Sequence, residues 1–150
     1  NATIATGTGT VTIRNDDSST SGPPIGPTTP DHTPTLGGVC SHPHHGHCRG
    51  LTGVTEINAA GRVTWNLTAT FTGVKMHKHQ HPRTKLPHLA QATAVVARPG
   101  SIRFALPIPL GRCKQMKRYA QHDTGAWLTL TITHRDTHGK TTKVQVIYPI

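Results

Sequence analysis

Nine consecutive residues, Cys40-Ser-His-Pro-His-His-Gly-His-Cys48, hold the densest set of reactive side chains in this chain. Cys40, His42, His44, His45, His47 and Cys48 are the donor types that zinc, copper and nickel accept. A second run, His77, His79, His81 and His88, adds imidazoles if that segment folds back. The spacing counts against structural zinc, which favours cysteines two to four residues apart with a second pair further on. Here seven residues separate the cysteines and no partner pair follows. A Cys40–Cys48 disulfide closing a small loop, as an extracellular β-domain would use, is the expected state. Zn2+, Ni2+ or Cu2+ on the histidines, adventitious or evolved, is the alternative. Three cysteines allow one bridge and one free thiol, and spacing alone does not decide the pairing. Cys113 is then expected to be a small buried apolar side chain rather than a nucleophile.

Other chemistry is sparse. His122 and Asp123 are adjacent, but no nucleophile, base and orienting group stand together, and the chain has six acids in 150 residues. A non-enzyme is expected. Formal charge is +10, with 12 histidines besides. That balance favours anionic partners, whether wall polymers, acidic glycans, headgroups or nucleic acid. Arg112, Lys114, Lys117 and Arg118 form the best candidate contact surface for an anion. Nucleic acid is the less favoured partner. Only Tyr119 and Trp127 lie near for stacking, and no nucleic-acid-binding signature is present.

These groups must be positioned by β-structure. Val63, Trp65, Leu67, Ala69 and Phe71 alternate with Thr and Asn, a period of two that turns one face to a core. Asn58-Ala-Ala-Gly61 reads as a turn that pairs this strand with one near Val54 to Ile57. Met76 to Leu89, with its His, Lys, Arg and Pro, lacks periodicity and is expected to be a long exposed loop. Ala92 to Ala97 is a short strand, and Ile102, Phe104, Leu106 and Ile108 mark another. Cys113, Met116, Tyr119 and Ala120 fall at helical spacing, so a helix is expected over Arg112 to His122. Leu128, Leu130 and Ile132, then Val144, Val146 and Tyr148, predict a closing hairpin with its turn at His134 to Lys140. No stretch approaches the ~20 apolar residues of a membrane span.

Three segments follow. Residues 1–17 hold one strand, Gly9 to Arg14, that ends at Asp16-Asp17, and a lone strand cannot fold. Residues 18–37, rich in Pro, Thr and Ser, are expected to be a flexible linker. Residues 38–150 form the β-domain.

Gly7-Thr-Gly-Thr-Val-Thr-Ile-Arg-Asn-Asp-Asp17 resembles the closing strand of Calx-beta domains. The resemblance implies that Asp16 and Asp17 help close a calcium site with loops of earlier strands. Those strands are not in this chain, so calcium binding is expected only of an intact parent. A second resemblance covers most of residues 38–150. Cys40…Cys48-Arg-Gly50, Gly61-Arg-Val-Thr-Trp65, Leu106-Pro-Ile-Pro-Leu-Gly-Arg112 and Asp136-Thr-His-Gly-Lys-Thr-Thr142 resemble small immunoglobulin-like domains of secreted actinobacterial proteins. It implies an all-β, Greek-key or immunoglobulin-like sandwich with one short helix. The function expected is that of a secreted or cell-surface module. It would act as spacer, adhesive unit or polymer binder beside other domains of the same parent.

Overall fold

The computed structural model describes residues 10–14, 23–76, 79–123 and 125–150, with side chains for 23–73, 83–123 and 125–150. Among the described residues, eight strands and two short helices run in the order β1 (Thr10–Arg14), β2 (Ile25–Pro30), α1 (Leu36–Val39), β3 (His47–Ile57), β4 (Gly61–Met76), β5 (His79–Val96), β6 (Gly100–Pro109), α2 (Leu110–Ala120), β7 (Gly125–Arg135) and β8 (Thr141–Pro149). They form two antiparallel sheets, one ordered β1-β8-β7-β4-β5 and the other β2-β3-β6. Setting β1 aside, three strands face four with the chain crossing between sheets after β3, β5 and β6. That is the Greek-key order of an immunoglobulin-like sandwich. Among the described residues, no helix is long and apolar enough to cross a membrane.

Each sheet is amphipathic, and burial of the two apolar faces against one another holds the fold. Val63, Trp65, Leu67, Ala69 and Phe71 are all buried, as the alternation predicts. They share one core with Leu128, Leu130 and Ile132 of β7 and Leu106 and Ile108 of β6. The two sheets meet where Trp65 stacks on Phe104, ring centroids 5.8 Å apart. The closing hairpin is also as expected. In its turn, Asp136 Oδ1 accepts from the backbone N–H groups of His138 and Lys140, both at 2.8 Å. Those bonds, the one from Lys140 foremost, hold the Asp136 carboxyl below its ordinary range.

Several expectations change. Asn58 to Gly61 does not join a hairpin; β3 and β4 lie in opposite sheets, and β3 pairs with β2 and β6. The reason is packing: Thr55 and Ile57 must face Trp65, not lie beside it. Buried His134 secures this crossover by donating Nε2–H to the Ala59 carbonyl at 3.0 Å. The expected loop at Met76 to Leu89 is largely strand, because β5 pairs with β4 from Met76↔His79 onward. The register shifts between Leu67 and Ala69, opposite His88 with φ 53, and this bulge hides the period of two. Pro82 and Pro87 fit because β5 is an edge strand.

The expected linker holds a strand as well. Ile25–Pro30 pairs with β3, and Ile25 is buried. Nor is the first strand a stray one. Thr10–Arg14 pairs with Lys143–Ile147, so it satisfies its backbone on the open edge of β8. Asp16 and Asp17, with the calcium role expected of them, lie outside the described residues.

Tyr148 supplies a pH test. Among the described residues, its buried hydroxyl has no hydrogen-bond partner, and burial pushes the phenol up to about 12. In an unfolded chain, tyrosine ionises near ~10. The folded state therefore keeps a proton that the unfolded state releases. This contribution is complete below pH ~10 and drains away as pH rises toward the folded value. Tyr148→Phe should match or exceed the wild type at pH 7, by up to about 1 kcal/mol, since no bond is lost. It should also lose less stability between pH 9 and pH 11. Urea unfolding at those pH values checks both, and equal alkaline losses would rule the account out.

Candidate functional site

The cysteine–histidine segment starts at α1. Thr35 Oγ1 accepts from Gly38 N–H at 3.0 Å and starts the turn, which ends at Cys40. Cys40 is bonded to Cys113 of α2, with Cα atoms 5.5 Å apart at a sequence separation of 73. This corrects the expected Cys40–Cys48 bridge. Cys48 is the free cysteine, buried on β3 and paired in register with Ile108 of β6. The residue-level reason is that β3 and β6 take Cys48 into the sheet, while the helical spacing of α2 turns Cys113 inward beside Cys40. Cys113 is buried as expected, yet it is bridged rather than free, which removes the thiol a catalytic cysteine would need.

Between Cys40 and Cys48 the chain makes a tight surface turn. His42 and His45 have φ of 49 and 48, and Gly46 has 79. His44 and His47 exchange backbone bonds in both directions, at 2.7 and 3.0 Å. All four histidine side chains are exposed. His42 Nδ1 lies 2.9 Å from Ser41 Oγ and His47 Nδ1 lies 3.2 Å from the His45 carbonyl, so local bonds occupy two of the rings. Among the described residues, no three His, Cys, Asp or Glu side chains are grouped to hold a metal ion. Of the second histidine run, His77 lies outside the described residues, as do the side chains of His79 and His81. His88 is exposed at the bulge.

Just past this turn, Gly50 is required by close approach. Its φ is 70, and a Cβ there would overlap the Leu106 carbonyl of β6. A cleft of ≈ 40 Å³ beside it, lined by His32, Pro34, Thr35, Val39, Arg49 and Leu51 among others, has room for a few waters rather than a substrate.

Helix α2 follows the expected face. Cys113 and Met116 are buried, Tyr119 and Ala120 pack against the core, and Tyr119 meets Phe71 edge to face at 5.6 Å. The helix starts at Leu110, two residues before the expected Arg112, directly after β6. Lys114, Lys117 and Arg118 are exposed, while Arg112 is half-buried and donates to Gln115 Oε1 at 3.2 Å. Lys117 and Arg118 stand in the last turn, where the helix dipole favours cations. Lys114, Lys117 and Arg118, at i, i+3 and i+4, share one exposed face of the helix, and Arg112 lies apart from it.

Three residues take other places in the fold than those the sequence suggests, which are a turn for His134, a disulfide for Cys48 and the neighbourhood of the basic helix for Trp127. His134 continues the inward set Leu128, Leu130 and Ile132, but only the sheet crossover puts a carbonyl beside it. The inward place of Cys48 is hidden because the register of β3 shifts between Cys48 and Leu51, which breaks the alternation. Trp127 continues the outward set of β7, two residues before Thr129, and that alternation was legible. Compared with known proteins, the chain matches no family model, no curated protein and no solved structure.

Proposed function

We propose that this chain is a non-catalytic β-sandwich module of an extracellular or cell-surface protein, serving to space, adhere or bind polymer beside other domains of its parent. The observation that carries this reading is the buried Cys40–Cys113 bridge. It ties the segment before β3 to the helix before β7 across 73 residues. Such cross-links persist in oxidising compartments and are rare in reducing ones. The formal charge of +10 supports an anionic partner such as a wall polymer or acidic glycan, because excess like charge raises the local concentration of counter-charged ligand.

The test is mass spectrometry of the protein recovered from its native host, alkylated without reduction. A Cys40–Cys113 cross-linked peptide and an alkylated Cys48 are expected. Full alkylation of all three cysteines would remove the extracellular reading.

A further inference from the structure

We propose that the outer face of the β5-β4-β7-β8 sheet is a binding surface for an acidic polysaccharide, which deepens the polymer-binding reading above and rests on it. The residues between the buried ones on these strands point away from the core. They align across the sheet: Gln91 pairs with Asn66, Asn66 with Thr131, and Thr131 with Gln145. This row of amides and hydroxyls spans four strands, roughly 14 Å at the usual strand spacing, the length of two or three sugar rings. Such groups both donate and accept, as ring hydroxyls require. Asn66 Oδ1 is screened by its neighbours and has no donor among the described residues. A ligand hydroxyl that parts those neighbours would supply one.

The charge on this face points to an acid rather than a neutral sugar. Arg62, Arg135 and Lys143 are exposed at one end of the sheet, and Arg83 and Lys85 at the other. Arg83 lies over the half-buried Trp127 ring, 5.7 Å from its centroid, so an apolar plane and an anion-binding fork stand together. No acid occupies an outward position on β4, β7, β8 or the described part of β5. The described acid beside this sheet is Asp136 of the β7–β8 turn, whose carboxyl is taken up by the His138 and Lys140 N–H groups; Glu56 is bonded by Ser101, and Asp31 by Arg103 at 2.9 Å. Glu56 and Asp31 belong to the opposite sheet or its margin. The row runs across the strands, whereas the cations stand at opposite ends of them, at Arg62 and opposite Thr72 on β4, roughly 33 Å apart at the usual rise per residue. A uronate or sulfate chain running along the strands would cross the row and reach both groups.

Binding of the full chain to polygalacturonate, dextran sulfate and neutral dextran at physiological salt tests this. Saturable binding to an anionic chain is expected, at least ten-fold tighter than to dextran. Polygalacturonate and dextran sulfate separate carboxylate from sulfate as the preferred acid. Arg83→Ala with Lys143→Glu, both exposed positions, should weaken binding about ten-fold or more, and Trp127→Ala should do the same while the thermal melt remains cooperative. Lys114→Glu, Lys117→Glu and Arg118→Glu together on α2 should change it less than about three-fold. Sheet variants that bind like the wild type, or helix variants that lose as much as the sheet variants, overturn the proposal. Absence of binding to either anionic chain overturns it too, whereas the extracellular reading fails only on the cysteine measurement.

Discussion

Replacing both ends of the bridge, Cys40→Ala with Cys113→Ala, should lower the free energy of unfolding by about 4 kcal/mol. That figure follows from loop-closure entropy for a cross-link spanning 73 residues. Truncation of two buried side chains adds a smaller cavity cost. A bridge between Cys40 and Cys48 would close a loop of only eight residues of separation, for which the same relation gives about 2.5 kcal/mol. The single variants separate the two pairings more sharply. Cys113→Ala should cost nearly the full amount, while Cys48→Ala should cost about 1 kcal/mol, as a small buried side chain does. Urea unfolding with and without reductant reads all of these. A large loss for Cys48→Ala with a small one for Cys113→Ala would reverse the pairing described here. Because whole-domain stability is about 5–15 kcal/mol, loss of the bridge should leave a marginal fold.

Trp65→Ala is expected to be comparably severe, at about 3–5 kcal/mol. Trp65 is 1% exposed and stacks on Phe104 from the other sheet, so its ring is the contact that joins the layers. Its indole N–H also donates to Thr55 Oγ1 at 3.0 Å, and the Thr28 hydroxyl donates to the same oxygen at 3.1 Å. Thr55 is fully buried. Losing the indole leaves one of its lone pairs unpaired away from water, which adds to the cavity cost. Trp65→Phe keeps most of the stacking and loses only that bond, so it should cost about 1–2 kcal/mol. Chemical denaturation followed by far-UV circular dichroism gives both values. If Trp65→Ala unfolds within 1 kcal/mol of the wild type, the joint between the sheets lies elsewhere.

Much of the architecture was legible in the order of residues. The period of two in β4, β6, β7 and β8 survives translation into three dimensions because each strand has one wet and one dry face. The helix at α2 was legible for the same kind of reason: Cys113 and Met116 recur at helical spacing and both are buried. The β5 strand was not legible, since a bulge at His88 shifts the phase of its inward residues. The strand at Ile25–Pro30 was hidden by its prolines and threonines. An edge strand tolerates these because one side of its backbone faces no partner. Pairing of β1 with β8 depends on which sheet edge stands open, which no local pattern records.

The cysteine–histidine loop makes the same division. The types and spacing of Cys40 to Cys48 were enough to propose a bridge or a metal site, and the open pairing was a true property of the sequence. Which cysteine Cys40 meets is a matter of where α2 docks, some 70 residues later in the chain. The outward row of Gln91, Asn66, Thr131 and Gln145 is similar. Each residue was assignable to the solvent face of its own strand, but only strand order and register set the four side by side. Sequence by itself determined the β class, the inward faces, the amphipathic helix and the cationic character of this protein. Tertiary structure alone decided the disulfide partner, the sheet to which each strand belongs and the surface that gathers polar and basic groups. The reason is range: alternation and helical spacing act between near neighbours, whereas pairing and docking join residues far apart in the chain.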